Sequence, residues 1–269
     1  MKTRLDKLLV ARGLVPTRER AQALILAGRV LVSEQKSDKP GASVPEDAPI
    51  RLLGRDLRYV SRGGLKLEAA LSHWSIDLNG RFCLDVGAST GGFTDCMLQH
   101  GATRVLAIDT GYGQIAQTLR DDSRVTLMER TNARLLNPGD LPPGISFLAI
   151  DVSFISATLV LPAVVAAVRS ASDALVPNVG HASHAVRHTV IEVLILIKPQ
   201  FESGREHVGK GGIVRDPAAH QLAINRVSAC LSDLGAHSLE IIDSPITGAE
   251  GNREFLLHAH LPITPHQPA

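Results

Sequence analysis

Cysteine is scarce in this chain: 269 residues hold three, Cys83, Cys96 and Cys230, an odd number without paired spacing. A disulfide framework is excluded as the source of stability, and a protein of the reducing cytoplasm is expected. Long apolar runs are missing as well. The longest, from Ala157 to Val168, is broken by Pro162 and falls short of the roughly 20 residues that cross a bilayer. The opening MKTRLDKLLV has no apolar stretch followed by a small-residue cleavage site, so neither a membrane span nor a secretory leader is expected. Net charge is nearly absent too, at +1, but its distribution is uneven. Residues 1–62 carry 13 Lys/Arg against 7 Asp/Glu, a net of +6, and the remainder carries a net of −5. A basic head on an acidic body suggests nucleic-acid contact confined to the head, against the plainer reading of a solvated basic surface.

What is present is ordinary globular composition, 44% hydrophobic and 20% charged, in a chain long enough for two domains. The head, residues 1–60, opens with Thr3 and Asp6 at capping-box spacing, followed by Leu5, Leu8 and Leu9 at helical period. After Gly13 and Pro16, Thr17 is placed to cap a second helix carrying Ala21, Leu24 and Ile25, and Gly28 to end it. A short strand, Val30 to Val32, follows. The stretch from Arg4 to Val32 resembles the S4 RNA-binding domain. It departs after Val32, where SEQKSDKPG stands in place of the tight turn expected there. The resemblance implies RNA binding, with Arg4, Arg12, Arg18, Arg20 and Arg29 as the candidate contacts to phosphate.

The body, residues 61–269, alternates strands and helices. Strands are expected at 81–86, 103–109, 124–128, 146–151, 191–197, 237–243 and 254–260, and helices near 64–74, 92–100, 154–169 and 216–234. Such alternation implies an α/β fold with a parallel sheet covered on both faces. The last two strands are joined only by SPITGAEGN, too short for a parallel crossover, so the last strand is expected to be antiparallel. Six parallel strands plus one antiparallel resemble the Rossmann-like architecture of S-adenosylmethionine-dependent methyltransferases. Residues 170–190 look like an insertion. His181, His184 and His188 there have helical spacing, but no Cys or carboxylate joins them, so a surface loop is expected and no metal.

CLDVGASTGGFTD, Cys83 to Asp95, places a glycine-rich turn between a buried strand and a helix. Its G-x-x-x-G-G spacing is neither the dinucleotide fingerprint nor a phosphate loop with its lysine. Asp85 at the strand end suits the ammonium of S-adenosylmethionine. Asp109 ends the next strand about 20 residues on, where a carboxylate accepts both ribose hydroxyls. The expected cofactor contacts are Asp85, Gly87, Ser89, Thr90, Gly91, Gly92, Phe93, Asp109 and Asp151, with Asn132 placed toward the adenine.

Four polar residues should meet at the carboxyl edge of the sheet, where open α/β sheets bind ligands. Asp151 ends the fourth strand, Lys198 the fifth, Glu254 begins the antiparallel last one, and Lys66 lies on the helix before the first. They resemble the Lys-Asp-Lys-Glu tetrad of FtsJ-type ribose 2′-O-methyltransferases. A ribose hydroxyl must lose its proton as it attacks the methyl group. Lys198 is the expected base or stabiliser of the alkoxide, with Asp151 and Glu254 orienting the lysines; which residue takes the proton stays open. None of the three cysteines is placed as a nucleophile at this edge.

Together with SRGGLKL, DVSFIS, KPQFE and VGKGGIVRD, these motifs closely resemble the TlyA family of rRNA 2′-O-methyltransferases, whose members are often labelled haemolysins. The resemblance implies methylation of a cytidine ribose in ribosomal RNA, within one or both subunits, by a monomer with no membrane partner. The rival readings are a pore-forming haemolysin and an RNA-binding protein without catalysis.

Overall fold

The computed structural model describes residues 2–15, 17–53, 58–173, 189–248 and 250–263. Two compact units divide the chain, Met1–Leu57 and Arg58–Ala269.

In the first unit, β1 (Lys2–Arg4) runs directly into α1 (Leu5–Ala11), so Thr3 is a strand residue paired with Val44 of β4 (Ser43–Pro45) and not a helix cap. The pairing overrides the local capping spacing. α2 (Arg18–Leu26) is capped as its sequence suggests: the Thr17 hydroxyl accepts the Arg20 amide, and Gly28 takes a positive φ after the last turn. β2 (Val30–Val32) pairs with β3 (Gln35–Lys36) and with β5 (Ile50–Leu52). The β2–β3 connection is the two-residue turn Ser33–Glu34, both at positive φ. The tight turn that the sequence lacked in glycine or asparagine is therefore present in its backbone geometry. Leu5, Leu8, Leu9, Ala21, Leu24 and Ile25 form the centre of a small apolar core.

In the second unit, α3 (Gly63–Trp74) precedes an alternating run: β6 (Phe82–Val86), α4 (Gly92–Gln99), β7 (Arg104–Ile108), α5 (Gln117–Arg120), β8 (Val125–Met128), β9 (Ile145–Ile150) and α6 (Leu161–Asp173). Then follow β10 (Val190–Ile197), α7 (Pro199–Glu202), α8 (Pro217–Asp233), β11 (His237–Asp243) and β12 (Phe255–Pro262). The sheet order is β11-β12-β10-β9-β6-β7-β8, with β12 antiparallel to both β10 and β11 and the remaining pairings parallel. This is the seven-stranded α/β architecture expected from the alternation. Side-chain alternation divides the sheet into two faces. Leu84, Ile150, Ile195 and Leu257 pack toward α6 and α8, whereas Cys83, Leu194, Leu196 and Leu256 pack toward α3 and α4.

The helix expected from residue 154 starts only at Leu161, because Phe154 takes a φ of 65° and residues Ala157–Leu159 form a 3-10 turn. His181, His184 and His188 of the insertion lie outside the described residues. Among the described residues no helix is long and apolar enough to cross a membrane.

Candidate active site

The sheet topology brings all four tetrad candidates to one cavity of about 660 Å³. Asp151 leaves β9 and Lys198 leaves β10, where Pro199 opens α7. Ile197 is in register with Phe255, so Glu254, one residue before β12, and Lys198, one residue after β10, reach the same edge. Lys66 comes from the second turn of α3. The four form two ion pairs. Lys66 Nζ donates to Glu254 Oε2 at 2.5 Å, with both side chains buried, and Lys198 Nζ lies 2.6 Å from Asp151 Oδ1. A charge removed from water needs such a partner, since an unpaired one costs several kcal/mol. Lys198 Nζ also donates to the Ser153 hydroxyl at 2.7 Å, a contact that strand-end reasoning missed. Each lysine is thus balanced by its own carboxylate, so the charge of Lys66 does not act on Lys198 uncompensated.

The glycine-rich turn separates this cavity from a second of about 520 Å³. The two share Gly87, Ser89, Asp151, Ser153 and Phe154 in their linings. Gly87 has a φ of 91°, and a Cβ there would lie 2.4 Å from the Asp151 carbonyl oxygen. A Cβ on Gly92 would meet Ser61 Oγ at 2.2 Å. These glycines let the turn press against protein backbone and side chain, and so fix Asp151 beside it. Ser89 N and Gly111 N donate to the two oxygens of Asp109, each at 2.7 Å. Held this way, Asp109 keeps unused lone pairs facing the second cavity, which Asn132 also lines. Thr90, Gly92 and Phe93 line the tetrad cavity, and Gly91 lines neither, packing against Leu119 instead.

Asp85 sits elsewhere than its strand-end position suggested. Its side chain has no exposed surface and lines neither cavity; alternation along β6 turns it with Cys83 toward α4, where Thr94 Oγ1 donates to it at 2.6 Å. Burial, only partly offset by that hydrogen bond, pushes its carboxyl up to about 7. It is a support beneath the turn, not a wall of the pocket. Burial also pushes the thiols of Cys83 and Cys96 up to about 12, so neither supplies a thiolate.

Other residues at the site carried little sequence signal beyond their place in the quoted motifs. Phe154 is 92% exposed at the junction of the cavities, with its ring 5.4 Å from that of Phe201. Beneath them, buried Glu202 accepts from Ser156 Oγ at 2.5 Å and from the Ala157 amide at 2.7 Å, tying the segment after Asp151 to α7.

In the first unit the candidate RNA-contacting arginines have internal duties. Arg4 and Arg18 donate to Asp6, Arg12 to the carbonyls of Ala48 and Glu46, and Arg29 to the Leu53 carbonyl, while Arg20 is half-buried on α2. The half-exposed guanidiniums of Arg4 and Arg18 retain solvent-facing donors.

Comparison with known proteins matches residues 59–261 to the family of FtsJ-like methyltransferases and residues 3–50 to the S4 domain. The protein YqxC of Bacillus subtilis, provisionally named an rRNA methyltransferase, is 47% identical over 97% of this chain and 86% of its own. A Mycobacterium tuberculosis protein named 16S/23S rRNA (cytidine-2′-O)-methyltransferase TlyA is 40% identical over 95% of this chain and 89% of its own. A solved Streptococcus thermophilus structure, provisionally titled a hemolysin, is 40% identical, covers 98% of this chain and 90% of its own, and superposes with a TM-score of 0.69.

Proposed function

Because the chain belongs to the FtsJ-like methyltransferase family and carries an S4 domain, we propose that it transfers a methyl group from S-adenosylmethionine to the 2′-hydroxyl of a cytidine in ribosomal RNA. The observation that carries this reading is the convergence of Lys66, Asp151, Lys198 and Glu254 on one cavity adjoining the glycine-rich turn.

The residues of the second cavity suit the cofactor. Asp109 offers acceptors for a ribose diol, Asn132 a side-chain amide toward an adenine, and the turn from Gly87 to Thr90 a close backbone approach. Bound there, S-adenosylmethionine supplies an electrophilic methyl group. The protein supplies charge control at the attacking oxygen. Lys198 Nζ, held between Asp151 and Ser153, stabilises the negative charge that grows as the ribose hydroxyl loses its proton. The carboxylate of Asp151, which lines the same cavity and can only accept, offers a place for the proton that the hydroxyl gives up, with Lys198 remaining the cation beside it. Lys66 and Glu254 form the more deeply buried pair and hold the far wall of the site. The substrate would be ribosomal RNA, free or in assembled subunits, in the cytoplasm, with the basic S4 unit adding phosphate contacts.

Transfer of labelled methyl to separated small and large ribosomal subunits tests the proposal. Label in alkali-resistant dinucleotides is expected, since a 2′-O-methyl group blocks hydrolysis at that nucleotide. Lys198→Ala should lower turnover by at least about 10²-fold while S-adenosylmethionine still binds. Near wild-type turnover in that variant would remove Lys198 from its role, and label confined to alkali-labile products would rule out ribose methylation.

A further inference from the structure

The sheet face that packs α3 and α4 changes character toward the end opposite the tetrad. Along β12 the inward positions run Leu256, His258, His260, and along β10, read back from its carboxyl end, they run Leu196, Leu194, Glu192. Glu192 stands directly across from His260, and His237 of β11 faces His260 from the other side. Three neighbouring strands of the sheet therefore place a carboxylate and three imidazoles on one patch. It lies roughly 20 Å from Lys198, counting six residues of extended strand.

Among the described residues one set of three can offer converging metal ligands, and it is here. One ligand atom each from Glu192, His258 and His260 lies within 4.8 Å of the other two. We propose that Glu192, His258 and His260 bind a divalent transition-metal ion with the coordination chemistry of zinc, at a site separate from methyl transfer. Four observations carry this. First, two imidazoles and one carboxylate are a donor set that suits zinc, leaving a fourth position for water. Second, His258 Nε2 lies 3.3 Å from Glu192 Oε1. That is the ligand-to-ligand edge of a tetrahedron with bonds of about 2.0–2.1 Å.

Third, His260 Nδ1 is buried without a hydrogen-bond partner among the described residues. A buried ring nitrogen left so is costly, and a metal or its bound water would satisfy the imidazole. Fourth, the supporting contacts orient the ligands. An Arg81 guanidinium donates to Glu192 Oε2, leaving Oε1 toward His258, while Trp74 stacks on His258 with ring centroids 5.1 Å apart. The His237 ring stacks nearly parallel on that of His260, at 5.8 Å and 9°. Ligands held by a second layer of contacts are characteristic of metal sites.

The chain has a single tryptophan, and it is the ring stacked on His258. Trp74 emission is thus a reporter built into the site. Untagged full-length protein, stripped with chelator, would be titrated with Co²⁺ and with Zn²⁺. Saturable one-to-one quenching of Trp74 by Co²⁺ is expected, reversed by Zn²⁺ in competition. Zn²⁺ at a hundredfold excess over its Kd should raise Tm by roughly 5–10 °C. Both responses should weaken at least about 10-fold in His260→Ala and in Glu192→Gln, the second of which keeps the side-chain volume. Binding of S-adenosylmethionine should be unchanged in either. No saturable response in the wild type would overturn the proposal. So would a response that persists in both variants, or one that disappears in His181→Ala/His184→Ala/His188→Ala, which would assign the metal to the insertion instead.

Discussion

Asp6 in the first unit and Asp85 in the second both lack any exposed surface, yet their surroundings drive them in opposite directions. Asp6 receives two hydrogen bonds from Arg4, one from Arg18, one from Gln22 and one from the Lys7 amide. The Arg4 hydrogen bonds, followed by those of Gln22 and Arg18, hold its carboxyl well below the usual range despite its burial. Asp85 has only the Thr94 hydroxyl, and its Oδ1 has no partner among the described residues. Deep burial dominates at Asp85, whereas at Asp6, which lies close to the surface of a thin unit, the hydrogen bonds from charged donors outweigh a smaller desolvation. The small first unit uses a buried charge as a fastening where its apolar core is thin. The second has a core large enough to carry an aspartate whose carboxyl burial raises to about 7, directly beneath the glycine-rich turn.

The largest expected effect separates the two by pH. Asp85 has a folded-state value near 7 against about 3.8 for an ordinary aspartate, so between those values the folded state holds more protons than the unfolded state. Stability of the second unit should therefore fall as pH rises from about 4 to 7, by at most about 1.4 kcal/mol per pH unit, and level off above. Asp6 has the opposite sign: its contribution is present above about 3.8 and is lost as pH falls further. Hydrogen exchange measured from about pH 2 to pH 8 reads both units in one molecule. Asp85→Asn should flatten the slope in β6 and α4, and an unchanged slope there would show that Asp85 is already ionised in the folded protein.

A smaller effect is expected from Asp6→Ala. It leaves two guanidiniums facing a vacated polar position, and should lower the stability of residues 2–53 by roughly 1–3 kcal/mol. The cost stays below that of breaking a fully buried pair because Arg4 and Arg18 are about half-exposed and water can take over their donors. Urea titration followed by exchange at the Leu5 and Asp6 amides, which bond to the carbonyls of Ala42 and Pro40, would measure it. A loss below about 0.5 kcal/mol would mean that the apolar core holds the unit without its buried charge.

The contrast also marks what can be read in the sequence. Buried parallel strands are continuous apolar runs, so β6, β7, β9 and β10 are legible to within a residue or two, and the strand-end positions of Asp151, Lys198 and Glu254 follow from topology. The same apolar run conceals which face each side chain takes, which is why Asp85 reads as a pocket residue and is not one. Ser153, one of the two groups on Lys198, carries no periodic signal at all. The Glu192, His258 and His260 patch depends on a register between strands more than 60 residues apart, which a single sequence does not contain. Thr3 shows the reverse case, a local signal overruled by pairing with a strand 40 residues later.

The finest test concerns the turn between β2 and β3, where geometry and residue type disagree. Ser33 and Glu34 have φ values of 50° and 63°, the left-handed pair that a two-residue hairpin with the twist of its strands requires. Neither residue prefers it, and a left-handed conformation costs an ordinary side chain about 1–2 kcal/mol. The cost is tolerated because Val32 and Gln35 are paired across the turn and the Ser33 amide is bonded to the Pro49 carbonyl, 2.8 Å away. Ser33→Asn keeps that backbone amide and substitutes a residue that enters the left-handed region more easily, so it should stabilise the first unit by about 0.5 kcal/mol. The gain is small but falls where the core is smallest, and slower exchange at the Ser33 and Ser37 amides should reveal it. Equal or faster exchange would show that the Pro49 contact, rather than intrinsic turn preference, sets the conformation of the hairpin.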